Sequence, residues 1–163
     1  MYLVKVCILL LLIGCAQPQQ QNIYYTVYTK SGWKVNLPNW MVNSEIKRDR
    51  ILNEIDATVN EFSKNWPLQL HLKEIRIWPY GYKYIYINGE LYSGYYYGKV
   101  ITLGFDDSFP HVKALSHELM HAALPNDTHE QLQQNIPIMI AVQKAQKAQE
   151  FVNVTPSYKV VSE

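Results

Sequence analysis

Apolar residues recur along this chain with two periods, and the switches between them mark out the elements. Residues 23–35 (IYYTVYTKSGWKV) are rich in β-branched and aromatic side chains around a Ser31–Gly32 break. That composition predicts a strand or hairpin, which Pro38 ends. From Ser44 to Trp66 the apolar positions Ile51, Ile55, Val59, Phe62 and Trp66 fall three or four apart. They form one face of an amphipathic helix, with Ser44 as N-cap and Pro67 as the stop. Residues 68–78 return to alternation, with Leu68, Leu70 and Leu72 in one phase and Ile75 and Ile77 in the other, which predicts a bulged strand. Residues 82–87 (YKYIYI) also alternate, and Asn88–Gly89 is a hairpin turn signal. The returning strand is predicted over residues 95–105.

The period then changes to that of a helix. Asp106, Asp107 and Ser108 offer caps for a helix over residues 110–124, with Pro110 in its first turn and Pro125 ending it. Thr128 and Gln131 have the spacing of a capping box for a last helix. This helix is expected to run to about residue 151 with a break or kink at Pro137, leaving a loose tail. A strand, a long helix, several strands and two helices in that order predict an α+β layer arrangement.

The first 15 residues (MYLVKVCILLLLIGC) stand apart from these elements. One basic residue, Lys5, precedes an apolar run over residues 6–13. A bilayer-spanning helix needs ~20 apolar residues, so this run suits the core of a cleaved secretory signal. Leu12–Ile13–Gly14–Cys15 resembles the lipobox of bacterial lipoproteins. The resemblance implies cleavage after residue 14, a diacylglyceryl group on Cys15 and a polar tether over residues 15–22. It also implies a protein anchored to the membrane at the cell envelope, in the outer membrane where the host has one. Both cysteines, Cys7 and Cys15, lie in this segment. Disulfides, thiol nucleophiles and cysteine zinc sites are therefore excluded from the domain expected over residues 23–155.

A length of 163 residues accommodates one domain, and 48% hydrophobic with 18% charged residues fits a globular core. Without the leader, 14 basic residues balance 14 acidic ones, so charge gives no basis for a nucleic-acid partner. The expected state is a monomer.

Chemistry concentrates in His117–Glu118–Leu119–Met120–His121. On a helix the two histidines lie about 400° apart, on one face and one turn from each other. Their imidazoles can then reach a single ion at about 2.0–2.1 Å. Glu118, rotated by about 100°, stands beside the ion and can take a proton from a zinc-bound water. Leu115, Leu119, Ala122 and Ala123 supply the buried side of the helix. The motif and the order of elements around it resemble the zincin metallopeptidases. The resemblance implies a mixed twisted sheet with a long backing helix, an active-site helix and a C-terminal helix. It further implies Zn2+ held by His117 and His121, Glu118 as general base, and a peptide or protein substrate.

Catalytic zinc takes three protein ligands and a water. The metzincin extension H-E-x-x-H-x-x-G-x-x-H is not followed, because Leu124 stands at its Gly position and Asp127 at its third His. Residues 125–127 form a turn sequence and Thr128 caps the next helix, so His129 begins that helix where it can face back to the metal. His129 is the preferred third ligand, with Asp127, Glu130 and the distant Glu150 as alternatives. Asp127 could instead accept a hydrogen bond from a ligand imidazole. His71 and His111 read as ordinary residues, and Met139 as part of a buried helix.

Thirteen of the 21 aromatic residues are Tyr, and eight of them fall between Tyr80 and Tyr97. Tyr80, Tyr82, Tyr84 and Tyr86 are expected on one strand face, either an aromatic surface near solvent or membrane or a cleft wall. Zincins add a peptide antiparallel to an edge strand and often place a Tyr or His at the oxyanion. Tyr92, Tyr95, Tyr96 and Tyr97 are the candidates here. The expected function is zinc-dependent hydrolysis, most readily of peptides. The rival is an anchored, non-enzymatic lipoprotein with a structural zinc site or a Tyr-rich interaction face.

Overall fold

The computed structural model describes residues 24–105 and 112–154. The leader and Cys15, the tether, the caps at residues 106–108, Pro110, His111, residue 155 and the tail over residues 156–163 lie outside them.

Two strands, β1 (Tyr24–Tyr28) and β2 (Lys34–Pro38), form the expected opening hairpin around Gly32. A one-turn helix, α1 (Asn39–Val42), leads into the long helix α2 (Glu45–Ser63). Its predicted apolar face is buried at Ile51, Ile55, Val59 and Phe62, and Trp66 packs on Phe62 with ring centres 6.0 Å apart. Ser44 occupies the N-cap position without a side-chain capping bond; its carbonyl accepts from Arg48 N–H at 2.8 Å. Then come β3 (Glu74–Ile77), β4 (Ile85–Ile87), β5 (Glu90–Tyr92), β6 (Gly94–Tyr97) and β7 (Val100–Leu103). Three helices follow: α3 (Val112–Ala123), α4 (His129–Gln134) and α5 (Ile136–Val154).

The main sheet has the order β1-β2-β3-β7-β6 and is mixed: β2, β3 and β7 run parallel, and both edge strands are antiparallel to their neighbours. Alternation along the strands sends Val35, Leu37, Ile75, Ile77, Ile101 and Leu103 to one face. That face packs with the apolar stripes of α2, α3 and α5 in a single buried cluster. The result is an α+β layer fold in which, among the described residues, β6 has a free edge and α3 lies against β6 and β7.

Four sequence expectations change in detail. Residues 68–78 are not one bulged strand: Pro67 opens a 3-10 turn over Leu68–Leu70, which leaves Leu70 exposed, and pairing begins only at Glu74. Residues 95–105 split at Gly98–Lys99, whose φ values of 58° and 68° make the two-residue turn joining β6 to β7. The partner of β4 across Asn88–Gly89 is therefore β5, the three residues directly after the turn. The last helical region breaks at Asn135 rather than at Pro137. Asn135 Oδ1 accepts from Ile138 N–H at 3.1 Å and caps α5, so Pro137 sits in a first turn, where its missing N–H costs nothing.

The opposite face of the sheet is polar. There Glu74 is 7% exposed and takes hydrogen bonds from Lys34 on β2, at 2.9 Å, and from Arg76. Burial pushes the Glu74 carboxyl up, but the hydrogen bonds and charges of Lys34 and Arg76 outweigh it and hold its pKa below the usual value. A lowered folded pKa contributes stability that is complete above the ordinary carboxylate range and lost as pH falls through the lower value. Glu74→Gln should therefore cost roughly 1–3 kcal/mol at pH 7. In urea unfolding at pH 7 and pH 3 the gap from wild type should shrink at the lower pH. An equal gap at both would contradict this role.

Candidate metal centre

Helix α3 carries the pentapeptide as its spacing requires. Leu115, Leu119, Ala122 and Ala123 are buried on its inner side, while His117 and His121 are half-buried on the other. Five residues then reverse the chain. Leu124 N–H still donates to Met120 C=O, and Asp127 N–H donates to Leu124 C=O at 3.2 Å, closing the turn. Thr128 completes the predicted capping box: its hydroxyl accepts from Gln131 N–H at 3.3 Å, and Thr128 N–H donates to the Gln131 amide oxygen at 2.7 Å. With the cap fixed, His129 is the first residue of α4 and faces α3.

The three imidazoles meet. Ring centres are 5.4 Å apart for His117 and His121, 4.8 Å for His117 and His129, and 5.3 Å for His121 and His129. One nitrogen from each ring lies within 4.8 Å of the other two, so the three histidines could hold a metal ion. Among the described residues this is the one group of three such donors. Asp127 and Glu130 stay outside it: the Asp127 backbone serves the turn, and the Glu130 carboxylate accepts from Gln134 at 3.4 Å. Glu150 lies in α5, with its side chain outside the described residues. His71 ends the 3-10 turn.

Electrostatics suit metal binding. Burial lowers the pKa of His117, and the neighbouring His121 and His129 lower it further. Burial and His129 lower that of His121. Both imidazoles are held toward the neutral form that a metal requires. The donor set fits zinc: three imidazoles leave one tetrahedral position for a water or substrate.

Glu118 reaches into the seam between α3 and β6 and lines one cleft together with His117. It is 7% exposed. Burial pushes its carboxyl up to about 7, and a hydrogen bond from the Tyr96 backbone N–H offsets part of that rise. Gly94 lies against the Glu118 side chain. A Cβ there would lie 3.0 Å from Leu103 Cδ2 and 3.4 Å from Glu118 Cγ. An isolated Gly in a strand pattern signals such an approach, and sequence reasoning passed over it.

A cleft of about 350 Å³ opens beside this carboxylate. Leu91, Tyr92, Ser93 and Gly94 line one side, and Ala114, His117 and Glu118 the other. Sequence reasoning missed the β5 wall, although the two-residue turn at Asn88–Gly89 obliges the next residues to pair. Gly104 N–H donates to Ser93 C=O at 2.9 Å. By antiparallel alternation, Tyr95 and Tyr97 also face β7, while Gly94 and Tyr96 turn their backbone groups toward the free edge.

The tyrosines do not share one strand face. Only Tyr86 of the expected four lies in β4, because Gly81, at φ 70°, interrupts the preceding stretch; all four are exposed. Of the oxyanion candidates, only Tyr92 lines the cleft. Tyr96 Oη donates to His71 C=O at 2.7 Å, Tyr97 is 81% exposed, and Tyr95 faces Tyr24 on the polar side of the sheet.

No family model, curated protein or solved structure matches this chain.

The buried carboxylate has a measurable cost in the metal-free protein. Its folded pKa exceeds the ordinary value, so stability is highest while Glu118 is protonated and falls as pH rises through about 7. With metal removed, Glu118→Gln should be more stable than wild type at pH 8, by on the order of 3 kcal/mol, and equal to it near pH 4. Urea unfolding in a chelator would read this. A variant less stable than wild type at pH 8 would contradict the burial argument.

Proposed function

We propose that this chain is a zinc-dependent metallohydrolase of zincin type, acting on peptide bonds. The observation that carries the reading is the placement of three histidine nitrogens within 4.8 Å of one another, with one of those histidines, His117, lining a cleft together with the buried Glu118. His117, His121 and His129 would hold the metal. When bound, Zn2+ supplies Lewis acidity at the scissile carbonyl and lowers the pKa of a water to about 7.

The chain's own groups account for the rest. Glu118, with a carboxyl near 7, takes the proton from the attacking water and returns it to the leaving nitrogen. The outward backbone groups of Gly94, beside the Glu118 carboxylate, can pair with an extended substrate along the free edge of β6. Packing of α3 on β6 keeps bulk water from the inner side of Glu118.

The lipobox-like segment and the polar tether support a place for this activity at the cell envelope, held to the membrane through Cys15. A structural zinc site would need a fourth protein donor. Among the described residues the cluster has three, which favours the hydrolase.

Glu118 separates the two readings. Glu118→Gln keeps the side chain's volume and removes the base. The variant should retain zinc while cleavage of a broad peptide library falls at least ~10²–10⁴-fold. Cleavage at the wild-type rate, with zinc retained, would overturn the mechanism.

A further inference from the structure

The β4–β5 hairpin stands over the cleft and offers more apolar surface than its own folding uses. Leu91 is 66% exposed, and Tyr86, directly opposite it across the hairpin, is 70% exposed. Single exposed apolar residues are ordinary on any surface. Here a cross-strand pair continues into the cleft through Leu91 and Tyr92, which line it together with His117 and Glu118.

The hairpin is also fixed in place. Asn88 and Gly89 have φ values of 51° and 92°, a tight two-residue turn that sets the register of Tyr86 against Leu91. Ile85 is fully buried beneath it. Phe105 N–H donates to Tyr82 C=O at 2.8 Å, and the Lys83 carbonyl lies so close to Gly104 that a Cβ there would be 2.0 Å from its oxygen. The wall is therefore held by backbone contacts on both flanks, so its side chains are presented without an ordering cost at binding.

Only Ser93 separates β5 from β6. A peptide paired with the free edge of β6 would run on toward Leu91 and Tyr92. Its side chain at that point meets leucine and tyrosine, with Ala114 across the cleft. An acidic side chain there would face Glu118, and Glu90 stands next to Leu91 on the hairpin.

We propose that Leu91 and Tyr92 are the specificity-determining residues of this site, selecting an extended peptide with an apolar side chain of leucine or phenylalanine size. This rests on the metallopeptidase reading above.

The test uses the full chain loaded with cobalt(II), whose absorption changes when a hydroxamate enters an open coordination position. Acetohydroxamate, which has no side chain to select, is compared with peptidyl hydroxamates bearing glycine, leucine, phenylalanine or aspartate. Wild type should bind the leucine and phenylalanine compounds at least about tenfold more tightly than the glycine one, and the aspartate compound most weakly. In Leu91→Ser/Tyr92→Ser, both positions being exposed, the preference should vanish, and in Leu91→Ser alone it should shrink while acetohydroxamate affinity stays unchanged. Equal binding of all side chains by wild type would overturn the inference, as would a preference surviving in the double variant. No response to acetohydroxamate would instead overturn the open metal site itself, and the inference with it.

Discussion

Five residues lie between the end of α3 and the start of α4, and the capping box at Thr128 decides what the second helix presents to the first. Reciprocal bonds between Thr128 and Gln131 fix the first turn of α4 at one rotation, and His129 is the residue that this rotation turns toward His117 and His121. A helix started one residue earlier or later would turn that position by about 100° and carry its imidazole off the α3 face. The three-histidine group thus depends on a local bond pattern outside the H-E-x-x-H pentapeptide. Leu132, fully buried one turn further on, ties the same helix to the core.

The second half of the site depends on how closely a helix can approach a strand. Glu118 accepts from the Tyr96 N–H with its Cγ packed over position 94, where a Cβ would lie 3.4 Å away. That closeness buries the carboxylate and raises its pKa, so packing and proton affinity have one cause. The same edge strand leaves the backbone of Gly94 turned outward beside the carboxylate.

Much of this was legible in the sequence because it is local. The 3.6-residue period found α2 and its buried face, the pentapeptide found two histidines and a glutamate, and the Thr128–Gln131 spacing found the cap that positions His129. What escaped was set by contacts between distant segments. Alternation in residues 68–72 and 82–84 imitated strands, but Pro67 and Gly81 interrupt the backbone, and no strand ladder forms there. The cleft wall at residues 91–94 escaped because its meaning lies in what packs opposite: α3, which begins 18 residues after Gly94. Asn135 took the helix break from Pro137 because a proline in a first turn breaks nothing.

Zinc content measured chain by chain tests the account most directly. Dialysed against zinc, the full-length protein should hold one ion, and Asp127→Ala and Glu130→Ala should hold it as well as wild type. His117→Ala, His121→Ala and His129→Ala should each weaken binding by more than the ~10–100-fold that follows loss of an outer partner. Stoichiometric zinc retained at wild-type affinity in the three histidine variants would contradict the metal centre and everything drawn from it.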